Sequence, residues 1–230
     1  VPTRRWPASV STGRSTGATS ATVPSGAEPL ELRVRPVQLP GSALARALLR
    51  LAGWRVVFDG LPGRQGVVIV YPHTSNWDFV VGVLAKWSIG IPVVFWGKDS
   101  LFRVPLFGRW LRHLGGVPVD RHNPQGAVAS MVDSLRRARE SGAFRWLALA
   151  PEGTRRRTEH WRSGFYQVAV QAGVPLGLAY FDFPRREVGL ASYLQLGGDP
   201  ARDLPAIAAR LAHHRGRRAE WAAPIRLKKD

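Results

Sequence analysis

Residues 67–84 read VVIVYPHTSNWDFVVGVL. Val67 to Tyr71 is a short apolar, β-branched run of the kind that forms a buried strand. Pro72 ends it, because proline cannot continue a ladder of hydrogen bonds. Six polar-rich residues follow, His73 to Asp78, and apolar residues resume at Phe79 with helical spacing. The stretch therefore predicts a strand, a turn and a helix, with a histidine and an aspartate five residues apart at the junction.

The same alternation continues in both directions. "WRVVFDG" (54–60), "PVVFWG" (92–97), "GVPVD" (116–120), "RWLALAP" (145–151) and "VPLGLAYFDF" (174–183) read as strands. Between them "WDFVVGVLAKWSI" (77–89), "PLFGRWLRHLG" (105–115), "PQGAVASMVDSLRRARESG" (124–142) and "SGFYQVAVQAG" (163–173) carry helical periodicity. "EVGLASYLQLG" (187–197) adds a hairpin or edge strand, and "DLPAIAARLAHHRGRRA" (203–219) a closing helix. Strands alternating with helices predict an α/β fold: one domain with a largely parallel sheet flanked by helices. "SALARALLRLAG" (42–53) precedes this pattern as a short helix with Ser42 as its N-cap and Gly53 as its stop. Residues 1–36 are rich in Ser, Thr, Ala, Pro and Gly without periodicity, so they read as a flexible tail ahead of a domain over 37–230.

The chain has 230 residues, 45% of them hydrophobic, which suits one domain with a sizeable core. It has no cysteine, so disulfides, thiolate metal sites and a cysteine nucleophile are excluded from it. No run reaches the 18 or so apolar residues of a membrane span. The first residues, VPTRRWPASV, lack the apolar stretch of a secretory signal. The net charge of +17 favours anionic partners such as lipid headgroups, an acidic carrier or nucleic acid. An arginine-rich composition drawn from a GC-rich genome would carry the same charge without any such partner.

His73 and Asp78 admit two readings. In one, His73 caps the helix and Asp78 binds backbone amides in its first turn. In the other, the loop folds the imidazole onto the carboxylate, which fixes the tautomer and stabilises the imidazolium. No Gly-x-Ser-x-Gly nucleophile occurs, so the second reading makes the substrate's own hydroxyl the nucleophile and His73 its general base. Other polar clusters also fall just after strands: Lys98, Asp120-Arg121, and Glu152 to Arg157. Ligands of open α/β sheets bind at the carboxyl ends of the strands. Gly153 permits close backbone approach, and Arg155 and Arg121 offer planar forks that suit phosphate. A solvated turn and a strand-end ion pair are the alternatives for those two arginines.

Four motifs together carry a resemblance: "HTSNWD" (73–78), "GGVPVDR" (115–121), "APEGTR" (150–155) and "GVPLGLA" (173–179). Their order and separations, over about residues 55–185, resemble the glycerolipid acyltransferase family, the lysophosphatidate (1-acylglycerol-3-phosphate) acyltransferase superfamily. "SNW" within the first motif is similar to a less characterised bacterial branch. The resemblance implies His73 as catalytic base and Asp78 as its partner. It implies Arg121, Glu152, Gly153 and Arg155 at the acceptor's phosphate, and Val174 and Pro175 in the apolar fourth motif, a candidate wall of the acyl-donor groove. The residues themselves add Thr154 to the phosphate cluster and Lys98 as positive charge at a strand end near the donor, a plain surface lysine being the alternative.

It further implies an acyl-CoA or acyl-carrier protein donor, a lysophospholipid-type acceptor and no metal or cofactor. With no spanning helix, the expected place is peripheral, on an anionic membrane surface at the cytoplasmic face of the inner membrane. The alternatives from the residues are transfer to a non-glycerol hydroxyl or amine, or a non-enzymatic protein binding nucleic acid or anionic lipid. No helix-turn-helix, zinc-finger or RNA-recognition pattern supports specific nucleic-acid binding. The pair His213-His214 reads as a solvated helix end.

Overall fold

The computed structural model describes residues 28–119 and 123–228. The strands are β1 (Leu30–Glu31), β2 (Arg55–Phe58), β3 (Gln65–Tyr71), β4 (Val94–Lys98), β5 (Gly116–Val119), β6 (Arg145–Leu149), β7 (Leu176–Asp182) and β8 (Glu187–Gln195). The helices are α1 (Ala43–Leu51), α2 (Asn76–Ile89), α3 (Asp99–Phe102), α4 (Phe107–His113), α5 (Pro124–Glu140), α6 (Gly164–Ala172) and α7 (Pro200–Leu211). The strands form one sheet in the order β1-β8-β7-β3-β6-β4-β5, with β2 also paired to β8. β3, β6, β4 and β5 run parallel, as do β3 and β7, whereas β7–β8 and β1–β8 are antiparallel. This is the largely parallel α/β sheet that the alternating pattern predicts. β1 and the short α3 were not legible, since elements of two and four residues carry no period.

β3 lies at the centre because both its faces are apolar. Val67, Ile69 and Tyr71 point to one side and pack with α5 and α6 through residues such as Leu135, Phe165 and Val168. Val68 points to the other, with Trp146, Leu190 and Tyr193. Alternate side chains of a strand face opposite ways, so a continuous apolar run is buried on both sides. α2 covers the second face: Val81 and Ala85 pack with Phe181 and Val188, and Leu49 of α1 joins them.

The boundary expected at residue 37 falls inside a segment already attached to the sheet. Leu30 and Glu31 pair with Gln195 and Leu194, and the Leu32 amide donates to the Tyr193 carbonyl at 2.9 Å. The Arg35 guanidinium lies 4.5 Å from the centroid of the Tyr193 ring. Backbone pairing to an edge strand needs no hydrophobic period, so composition alone could not show it. Residues 1–27 of the expected tail lie outside the described residues.

α1 starts where Ser42 was expected to cap it, with its hydroxyl accepting from the Ala45 amide at 3.3 Å. The expected closing helix is shorter than its pattern. α7 ends at Leu211, and the chain from Ala212 runs on as turns and irregular backbone with one short 3-10 helix, Ala219–Trp221. That segment comes back to the sheet's carboxyl edge and contributes to the site.

Candidate functional site

The chain leaves β3 at Tyr71 and enters α2 at Asn76, so His73 to Ser75 bridge the central strand and its helix. Ser75 caps α2. Its hydroxyl accepts from the Trp77 amide at 3.2 Å, and its own amide donates to Asp78 Oδ2 at 2.7 Å. The same carboxylate oxygen stands 3.2 Å from His73 Nδ1. Asp78 therefore binds a backbone amide and stands beside the imidazole through one atom, while the cap expected of His73 is supplied by Ser75. Asp78 is 1% exposed.

A carboxylate can only accept, so its position beside Nδ1 favours the tautomer with the hydrogen there and the lone pair of the neutral ring on Nε2. Nε2 has no partner among the described residues, and 18% of the His73 side chain is open to solvent. An imidazole held in this way can take a proton at Nε2, while the adjacent carboxylate balances the charge that results.

Glu152 fixes the loop from below. Its Oε2 accepts from the His73 amide at 2.6 Å and its Oε1 from the Ala223 amide at 3.0 Å. It is 3% exposed, and burial pushes its carboxyl above the usual carboxylate range, against the lowering effect of those two amides. Tyr71 ends the same network, its hydroxyl donating to the Ala223 carbonyl at 3.0 Å. Burial, with Glu152 nearby, raises the Tyr71 phenol to about 12, so it stays protonated as a donor. The acceptor's phosphate was the expected contact of Glu152. Its carboxylate is instead occupied by two backbone amides, as its negative charge favours, and it positions the His73 loop.

The remaining expected residues divide by place. Thr154 and Arg155 stand exposed on the loop after β6, at the carboxyl edge of the sheet, with Thr154 Oγ1 accepting from the Arg156 amide at 3.2 Å. Gly153 adopts φ +66°, and a side chain there would meet the Arg162 guanidinium at 2.5 Å, so glycine answers both demands. Lys98 is exposed at the carboxyl end of β4. Arg121 lies outside the described residues.

Val174 and Pro175 are the clear correction. They precede β7 at the amino edge, where the Pro175 carbonyl accepts from the Val67 amide at 2.9 Å. From Val67 to His73 the chain runs about 20 Å at some 3.3 Å per residue. Val174 is 1% exposed and belongs to the core. An apolar pair at a strand's start packs; only residues at its other end reach the His73 side.

The segment after α7 was missed. The Arg218 amide donates to Thr74 Oγ1 at 3.2 Å, and a side chain at Gly216 would lie 2.5 Å from that hydroxyl. Thr74 is 1% exposed beneath it. His214 is not a solvated helix end: it is buried, its Nδ1 lies 3.3 Å from Asp182 Oδ2, and its ring stacks 3.6 Å from that of Tyr180. Burial holds its pKa below the usual histidine range, although Asp182 pulls the other way. Glycine, arginine and histidine in "HHRGRR" carry no period, and their role depends on where the chain returns.

These features define an α/β domain with a His–Asp pair at the carboxyl edge of its central parallel strand. The chain belongs to the acyltransferase family: the family model described as "Acyltransferase" matches residues 55–177, just over half of the chain. Among similar proteins is the 1-acyl-sn-glycerol-3-phosphate acyltransferase of Borreliella burgdorferi, 27% identical over 140 residues that cover 58% of this chain and 54% of that protein. The enzyme of the same name from Streptococcus pneumoniae is 28% identical over 58% of this chain and 48% of its own length. Lysophosphatidylcholine acyltransferase 2 of Rattus norvegicus is 30% identical over 48% of this chain and 20% of that protein. The chain thus spans about half the length, or less, of these curated relatives.

Proposed function

We propose that this domain transfers a fatty acyl group from the thioester of acyl-CoA or acyl-carrier protein directly to a hydroxyl of a lysophospholipid-type acceptor. The observation that carries the proposal is the His73–Asp78 pair, with Nδ1 3.2 Å from a buried carboxylate and Nε2 without a partner among the described residues. The acceptor hydroxyl gives its proton to Nε2 as its oxygen attacks the thioester carbonyl carbon. The tetrahedral intermediate then collapses, the C–S bond breaks, and the imidazolium returns the proton to the leaving thiolate. No acyl-enzyme forms, which accords with a sequence that has neither a cysteine nor a Gly-x-Ser-x-Gly nucleophile. Glu152, through the His73 amide, keeps the ring in place.

The names of the relatives, which specify 1-acyl-sn-glycerol-3-phosphate and lysophosphatidylcholine, support a lysophospholipid acceptor. The exposed Arg155, together with Arg121, suits an acceptor phosphate by charge. Among the described residues no helix is long and apolar enough to cross a membrane. The proposal has the domain meet its lipid from the side, with the cytoplasmic face of the inner membrane as its expected place.

The test is release of free thiol from acyl-CoA and from acyl-carrier protein, each with a panel of lysolipids, other alcohols and amines. Lysophosphatidate or a related lysolipid should stimulate release and appear as the diacyl product. His73→Ala should lower turnover by about 10²–10⁴-fold, the usual worth of a general base. A folded His73→Ala protein with wild-type turnover would overturn the mechanism. Stimulation by an amine alone would replace the acceptor.

A further inference from the structure

Eleven of the thirteen large apolar side chains exposed among the described residues belong to α1, α2 and the α3–α4 segment. On α1 they are Leu44, Leu48 and Leu51; on α2 they are Trp77, Val80 and Trp87. Each set follows helical spacing, so each is a stripe. α2 is thus apolar on both sides, its inner side against Val188 and Phe181 and its outer side in solvent. The Phe79 and Trp110 rings, 6.1 Å apart, link α2 to the five other exposed residues between Leu101 and Trp110. Scattered exposed leucines are ordinary, but a contiguous patch marks a surface that binds something apolar.

The charge around the patch says what. Residues 42–58 include three arginines and no acid. The sole acid of α2, Asp78, is buried. Beside the first turn of α2 lies a cleft of about 280 Å³ whose walls include Trp54, Trp77 and Phe183 and whose cations are Arg186 and Arg217. Arg217 sits 5.7 Å from the centroid of the Trp77 ring. Two guanidiniums set among aromatic walls, at the margin of an apolar face, match a phosphate head whose tails enter that face.

We infer that the α1–α2 face docks on a bilayer of anionic phospholipid, with the Arg186–Arg217 cleft seating a headgroup phosphate. This deepens the acyl-transfer proposal by naming where the domain meets lipid. Trp77, on the docking face, and Asp78, which holds His73, are adjacent residues of one turn, so docking sets the His73 site beside the lipid surface.

The test uses vesicles of phosphatidylcholine alone and of phosphatidylcholine mixed with phosphatidylglycerol. The chain has no cysteine, so single cysteines bearing an environment-sensitive fluorophore report one place each. Labels at Leu51→Cys and Trp87→Cys should shift to the blue on the mixed vesicles. A label at Ser130→Cys, exposed on α5 across the sheet, should not. An equal shift at position 130, or none at 51 and 87, overturns the inference.

Each basic side chain near an anionic leaflet is worth about fivefold in partition. Arg186→Gln with Arg217→Gln should therefore weaken binding about 30-fold. Arg136→Gln with Arg137→Gln, the same charge change on α5 across the sheet, should cost far less. Equal losses from the two pairs would mean general charge attraction and would overturn the cleft. Vesicle binding needs no thioester, so His73→Ala should bind like the wild type; failure of docking and failure of the acyl-transfer mechanism thus show separately.

Discussion

Asp78→Asn separates the two tasks that a single oxygen performs. Asp78 Oδ2 accepts from the Ser75 amide at 2.7 Å and faces His73 Nδ1 at 3.2 Å, whereas Oδ1 is buried without a partner. An asparagine can place its carbonyl where Oδ2 stands and its NH2 where Oδ1 stands. The Ser75 hydrogen bond and the contact with His73 Nδ1 then survive and only the negative charge goes. The added cost to the fold is that of one buried donor exchanged for one buried acceptor, about 1 kcal/mol. The cost to catalysis is larger, because a carboxylate holds an imidazolium through a charge-assisted bond and a neutral amide does not.

Turnover of the thioester should therefore drop by about 10²-fold or more while the melting temperature moves by a few degrees. Asp78→Ala should lose as much activity and more stability, since it also removes the helix cap, worth about 0.5–2 kcal/mol. The assay is thiol release at saturating acceptor, read beside thermal unfolding of the same preparations. If Asp78→Asn keeps wild-type turnover, the carboxylate is a cap alone and His73 acts without it. If Asn and Ala lose activity only in proportion to lost folded protein, the charge has no catalytic role.

Two further outcomes follow from the buried network. Glu152→Gln leaves one acceptor oxygen for two amides, those of His73 and Ala223. It should cost about 1–3 kcal/mol for the amide left unpaired, and lower turnover as the His73 loop shifts; unchanged melting and turnover would refute the clamp. His214 is buried beside Asp182, Glu187 and His213, with its pKa held below the ordinary 6.5. Above that pH it is neutral in both folded and unfolded chains. As pH falls below it the unfolded chain takes the proton first, so stability should fall from about pH 6.5 downward. His214→Phe, which keeps the ring on Tyr180, should flatten that part of the melting-versus-pH curve; an unaltered slope would refute the assignment.

The stretch from Val67 to Leu84 carried most of the fold in its own composition. An apolar β-branched run must be buried on both faces, and that put β3 at the centre of a parallel sheet. The periods of α2, α5 and α6 and the turn at Pro72 were equally local, so they were legible. The order of motifs also pointed to the family before any packing was known. What no local pattern could determine was which edge of the sheet each motif reached and which distant backbone came to meet it.

Val174-Pro175 and His73 both fall at the margins of β strands in the sequence, yet strand direction sends them to opposite edges of the sheet. Glu152 looks like a ligand-facing acid until the Ala223 amide arrives from the chain's far end to claim one of its oxygens. The apolar residues of α2 look uniformly internal, and only the sheet's position shows that Trp77, Val80 and Trp87 face outward. Periods and turns arise from neighbours in sequence. The His73–Asp78 pair is local too, but the contacts that hold it in place, from Glu152, Ala223 and Arg218, span 70 residues and more and are settled by how the whole chain packs.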